Sequence, residues 1–515
     1  MTSPIITRPL AGLLPQALSA PVAGVSTQSS GLPIIQANAQ RETLLAGPAP
    51  DPTAGLAVPN AVGATRVHND VIESEYPEAL FVANSVTGNV EVIDPTTRRN
   101  LGSINVVPDL EQVIGEMGVV ERTVLRGIEY GQLNHRFEPS NGIRLVDDLS
   151  VSPDGTRLYV SRSNLGDVVA IDLTQPEFPI VWRTPVSGGF PFRQGRKADH
   201  ADLSPDGQFY AVSSTLSQRV DVFNTETGEI DWHFETGSLP HQVDWIPLDA
   251  GAFGGEPGEL RTYLVNAGIG HFDGPEGTIE EEDMARVTVA DPVTREVVRE
   301  YTFEHGIRPA VFTEDGRYMV FQQSHFNGLQ ILDLVSGDIV VSEALALEQD
   351  PDGGEFYRDL HPTPSHLPHA SEVHGLAGYG RDLITAATAH AAVGHWRLHY
   401  DAEAGHPTLE FLGRQPSGFV PYWVATTLES DGDAVAAVSE SANHDVGFYD
   451  FETGQHLGSV PLEGRFPQRS RPGPLHPELS SLLNTGTVEN PLPRMEELQN
   501  GFYNTVGRWA YQLGK

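Results

Sequence analysis

The stretch Ser152–Leu173, SPDGTRLYVSRSNLGDVVAIDL, reads as a polar turn, an alternating strand, a short loop and a second alternating strand ending at Asp172. Asp-Gly suits the turn because glycine reaches the left-handed backbone region without steric cost and aspartate bonds its own backbone. Apolar residues at alternate positions then put one face of each strand into a core. The same grammar returns twice in clear form. Ser204–Gly207 is followed by QFYAVSSTLSQRVDVFNTETGEIDW, and Thr313–Gly316 by RYMVFQQSHFNGLQILDLVSGDIVV. Each copy adds a turn and a third strand, the mark of consecutive antiparallel hairpins.

Weaker copies extend the pattern in both directions. They are LFVANSVTGNVEVIDPTTRR from Leu80, TYLVNAGIG from Thr262 with ARVTVADPVTRE after an insertion, DLITAATAH from Asp382, and AVAAVSESANHDVGFYDFETG from Ala434. An acid or amide closes the third strand of each unit at Asp94, Asp172, Asn224, Asp291, Asp333, Asp401 and Asp450. Seven four-stranded units of this kind close radially, which leaves only short protected sheet edges. The expected fold is therefore all-β, a seven-bladed β-propeller. Phe81-Val82-Ala83-Asn84-Ser85 through Val92-Ile93-Asp94 resembles the signature of the YVTN-repeat propellers, and the resemblance covers roughly residues 65–465. It implies a fold and says little of activity, since propellers host binders, lactonases, lyases and cofactor enzymes.

The flanks read differently. Residues 1–60, rich in Pro, Ala, Ser and Gly, are expected to form an extended or partly disordered arm, ahead of a propeller over 61–470. Residues 471–515 form a C-terminal extension. Within it, Arg494–Leu513 carries Met495, Leu498, Phe502, Val506, Trp509 and Leu513 at helical spacing, a helix expected to pack on the propeller or to make a homodimer contact. Arg8–Gly24 faintly resembles a secretory segment, so the expected location is extracytoplasmic or secreted, with the cytoplasm as alternative.

Composition narrows the function. The 515 residues carry a net charge of −37, against nucleic acid as a partner, because phosphate binding needs a basic footprint. There is no run of 18 apolar residues, hence no expected membrane span. With no cysteine, thiolate chemistry, disulfides and Cys-ligated metals are excluded, and any metal must be held by His, carboxylates, amides or backbone oxygens. GxGxxG, P-loop, GxSxG and HExxH motifs are absent. Glu280–Asp283 reads as a solvated insertion tip.

The histidines are unevenly placed. In a propeller, the start of each innermost strand and the loop between the second and third strands share one face. Starts of innermost strands carry His200, His241 and His374, with His305 just before another. The loops of blades four to seven carry His271, His325, His390 and His444. Aligned starts elsewhere carry Asp147, Asp199, Arg308 and Tyr422. Imidazoles with a carboxylate are what a divalent transition metal such as Fe, Cu, Zn or Mn needs when thiolate is lacking. His200, His241 and His374 are thus the first expected ligand set, with His325, His390 and His444 as a second shell or rival set. Asp147 or Asp199 is read as base, Arg308 as an anion clamp and Tyr422 as proton donor. The insertion Glu348–Val373, with His361, His366 and His369, reads as a lid over this face.

The leading functional expectation is a metal-dependent oxidoreductase or lyase acting on a small molecule. A non-catalytic secreted or surface recognition propeller is the alternative, and a lactonase-like hydrolase the third. For the histidines, the plainer reading is polar residues of a channel mouth bonded to backbone and water.

Overall fold

The computed structural model describes residues 62–67, 74–123, 143–188, 196–237, 239–270, 284–323, 326, 328–344, 373–388 and 391–484. All fall in a unit spanning Gln36–Lys515; a second unit, Met1–Ile35, lies outside the described residues. So do residues 348–372 of the lid segment, the helix expected at 494–513, the acidic tip and His271, His325 and His390.

Seven four-stranded antiparallel sheets make a seven-bladed β-propeller. Six blades run outward through consecutive strands. Blade one is composite: Glu78–Asn84, Asn89–Asp94 and Arg99–Asn105 receive their innermost strand, Pro467–Pro474, from the far end of the chain. The other innermost strands are Leu149–Val151 in blade two, Ala198–Leu203 in three, Pro240–Asp249 in four, Ile307–Phe312 in five, Val373–Tyr379 in six and Pro421–Leu428 in seven.

The third strand of every blade ends on the acid or amide read from the sequence. The reason is local. Each of these side chains accepts the backbone N–H two or three residues on, at 2.7–3.0 Å, and so starts the turn to the outermost strand. The Asp-Gly turns are equally specific. Gly316 sits at φ +68°, and a Cβ there would lie 2.0 Å from the Pro247 carbonyl of the neighbouring blade.

Alternating strands bury one face against the next blade. Phe81, Val92, Leu149 and Val160 join blades one and two, and Val265, Val287, Ile307 and Phe321 join blades four and five. Each fully buried side chain of this size contributes about 1.5–3 kcal/mol. Ala64 and Val67, just ahead of the ring, extend the cluster of Tyr318, Leu329, Leu383 and Trp396 between blades five and six. In the C-terminal extension, a helix at Pro477–Asn484 sets Leu479 and Leu483 in the cluster of blades one and two. No helix among the described residues is long and apolar enough to cross a membrane.

Candidate metal centre

The start of each innermost strand carries a polar or aromatic residue that is nearly or fully buried at the axis. In order around the ring these are Gln468 and Arg469, Asp147, Asp199 and His200, His241, Arg308, His374, and Tyr422. A regular strand would turn alternate side chains away from the axis. The ring avoids this with one extra residue at the start of six innermost strands. Register slips by one between Ala198 and Ala201, Pro240 and Gln242, Ile307 and Ala310, Val373 and Gly375, Pro421 and Trp423, and between Pro467 and Ser470. Such bulges re-aim side chains. The slips fall at Asp199-His200, His241, Arg308, His374, Tyr422 and Gln468-Arg469, the ring residues themselves.

Adjacent blades three and four bring His200 and His241 together, with ring centroids 3.7 Å apart. Asp199 joins them. One ligand atom from each of Asp199, His200 and His241 lies within 4.8 Å of the other two, and all three residues are buried. The Nδ1 atoms of both histidines are buried with no hydrogen-bond partner among the described residues. His374 stands outside this group. Its ring stacks on Tyr422 at 3.8 Å, and it reaches His241 through charge. The structure therefore assembles two of the three expected imidazoles with Asp199, expected as a base, in the place expected for His374. From the loop set only His444 is described; its Nδ1 accepts the Phe466 N–H at 3.2 Å, and burial pushes its pKa down.

Electrostatics separate the two carboxyls at this level. Burial, then the neighbouring Asp199 charge, pushes Asp147 well above the usual carboxylate range. Burial opposes the charge of Asp199 too, but Lys197 and His241 hold it below that range, and the pair shares a hydrogen bond. Lys197 and Thr215, the latter at 2.7 Å, both donate to Asp199 Oδ2. His241 is pushed well below the usual histidine range, chiefly by burial and further by Arg308, against the pull of Asp199.

Arg469 was not legible as a site residue. It comes from the closing strand, is 1% exposed and lies 3.5 Å from the centroid of Trp423. Its Nη2 donates to His200 Nε2, and burial lowers its pKa to about 10. Gln468 donates to Asp147 at 3.3 Å. The available signal was arithmetic: the unit starting at Leu80 has only three strands, so a closed ring had to take a fourth from beyond blade seven.

A second polar layer lies beneath the ring. Arg471 donates to Asp148 through Nε and Nη2 at 3.2 and 3.1 Å, and to the Ala201 carbonyl at 2.8 Å. The Gln242 amide pairs with the backbone of Ala310 at 2.9 and 2.7 Å. Below, the channel opens into a cavity of about 130 Å³ lined by Glu78, Asp244, Phe312, Leu376, Trp423 and Leu428 among others.

No family model and no curated sequence matches the chain. Similar solved structures exist. A functionally unknown protein from Desulfotomaculum acetoxidans is 11% identical with TM-score 0.47, over 78% of this chain and 99% of that one. Hydrazine synthase from Kuenenia stuttgartiensis is 16% identical with TM-score 0.46, over 80% and 99%. The Cps50 (Swd1) β-propeller domain from Myceliophteria thermophila is 13% identical with TM-score 0.42, over 62% and 88%. Likenesses this distant say nothing of what the chain binds or catalyses.

Proposed function

We propose that this chain is a propeller enzyme, a divergent member of the YVTN-repeat kind, that holds one divalent transition-metal ion on its axis and acts on a small molecule as an oxidoreductase or lyase. The observation that carries this reading is the convergence of Asp199, His200 and His241 within 4.8 Å, all buried. Structural polar residues of a channel mouth are normally satisfied by neighbours. Here His241 keeps a buried Nδ1 without a partner among the described residues, and His200 turns Nε2 toward Asp199 at 3.7 Å, which fits a donor set built for an ion. Two imidazoles and a carboxylate suit Fe, Cu, Zn or Mn.

In this reading Asp199, His200 and His241 hold the ion, which supplies Lewis acidity or an activated water. The other ring residues have separate tasks. Asp147, in hydrogen-bond contact with Asp199, is placed to carry a proton. Arg308 orients an anionic group, and the stacked His374 and Tyr422 form the other part of the wall, with Tyr422 as proton donor. Burial of all these groups excludes bulk water.

Elemental analysis of protein purified without chelator or poly-histidine tag tests the proposal. One transition-metal ion per chain is expected, falling to a small fraction in His241→Ala. No metal, even after reconstitution, would favour a non-catalytic recognition propeller.

A further inference from the structure

The axis is crowded with cations, and two of them are fully engaged by carboxylates. Lys197 is held by Asp199. Arg471 is held by Asp148 in bidentate fashion, with the Ala201 carbonyl beside it. Arg469 is different. Its Nη2 donates to a histidine nitrogen, and its face lies on the Trp423 indole. Asp148 Oδ2 forms an ion pair with Nη1 at 3.3 Å, but outside hydrogen-bond geometry, so Nη1 makes no hydrogen bond among the described residues. Asp148 is already engaged: besides both Arg471 contacts it accepts from the backbone N–H groups of Ala201 and Leu149 at 3.1 and 2.9 Å.

A guanidinium 1% exposed and only partly satisfied carries a desolvation cost that an anion would offset. An ion taken by His200 through Nε2 would also use the lone pair that Arg469 now contacts, releasing a second N–H of the same planar fork. We propose that Arg469 is a substrate-binding residue, the anchor of an oxyanion site beside the Asp199–His200–His241 centre, and that the substrate is a small carboxylate. The class follows from geometry. A carboxylate presents two coplanar oxygens that match the guanidinium edge, while Trp423 fixes the plane of that edge. Arg308, also 1% exposed, starts the innermost strand of blade five, so guanidiniums from blades one and five share the ring with the imidazoles of blades three and four. The inference rests on the metal reading above and adds the substrate class to it.

The test uses the full chain reconstituted with Co²⁺, whose visible absorption reports on its ligands. Oxalate and acetate are titrated in one arm, inorganic phosphate in the other. The expected result is a saturable spectral change with oxalate, and an oxalate affinity weaker by about tenfold or more in Arg469→Met. Co²⁺ stoichiometry is expected to stay at one per chain, and Arg469→Lys to recover part of the loss; circular dichroism identifies the folded variants. Unchanged oxalate affinity in both folded variants would overturn the inference, as would Co²⁺ binding without any response to oxalate; in either case the metal reading survives. A response to phosphate alone would overturn the carboxylate class. Failure of the wild-type chain to take up Co²⁺ would bring down the metal reading and the inference with it.

Discussion

Replacing Arg471 with methionine should separate the structural layer of the channel from the chemical one above it. The guanidinium leaves blade one, makes two hydrogen bonds to Asp148 of blade two, and bonds the Ala201 carbonyl of blade three, with Asp202 at 3.8 Å. Burial opposes the charge of Asp148, but Arg471 and then Arg469 hold its pKa below the usual carboxylate range. Methionine fills similar volume without charge, so the loss is electrostatic rather than a cavity. Breaking a buried pair by removing one partner costs about 3–5 kcal/mol. Arg469, 3.3 Å from the same carboxylate, recovers part of that, so the expected loss is about 2–4 kcal/mol. Adding Asp148→Asn removes the stranded charge, and the double variant should lose less than the sum of the singles by about 1 kcal/mol or more. Urea unfolding of the four proteins, with unchanged m-values, measures this. A loss under 1 kcal/mol in Arg471→Met, or strict additivity, would refute the claim that this pair ties three blades together.

Two further changes probe other buried carboxyls. Asp445 is half-buried beside Glu440, and burial followed by Glu440 raises its pKa to about 7. A raised folded value makes the wild type lose stability as pH rises from its unfolded value near 4 to 7, so Asp445→Asn should gain about 1–2 kcal/mol at pH 8, after allowance for solvent screening, and nothing at pH 4. Equal gains at both pH values would contradict this. Glu91, fully buried in blade one, accepts from Asn84 and Asn100 and from the backbone N–H groups of Glu463 and Gly464 at the closing seam. Glu91→Ala should cost about 3–5 kcal/mol by chemical denaturation, and a loss below 1 kcal/mol would show that the seam does not depend on it.

What the sequence disclosed, and what it hid, follows from the range of the interactions. Asp94, Asp172, Asn224 and their counterparts could be read because a side chain that bonds the backbone two residues on leaves a mark within a few positions. The closing strand could not be read that way. Pro467–Pro474 pairs with Glu78–Asn84 across almost the whole chain, and nothing near Arg469 announces that it will face His200. His200 and His241 lie side by side because both open the innermost strands of consecutive blades, a placement the repeat spacing makes legible. The place of Asp199 beside the two imidazoles depends on a bulge, which exists only between two paired strands and has no signature in either one. His374 opens an innermost strand as well, two blades beyond His241, and the stack on Tyr422 takes it outside the group.

Asp199, His200 and His241 are proposed to bind one ion together. Anomalous scattering from a crystal of metal-replete protein, recorded on both sides of the bound metal's absorption edge, tests it most directly. The expected result is a single strong peak bonded to the Asp199 carboxylate and to one ring nitrogen each of His200 and His241, at about 2.0–2.2 Å. A peak at another site, or metal-replete protein with no peak among these three side chains, would contradict it.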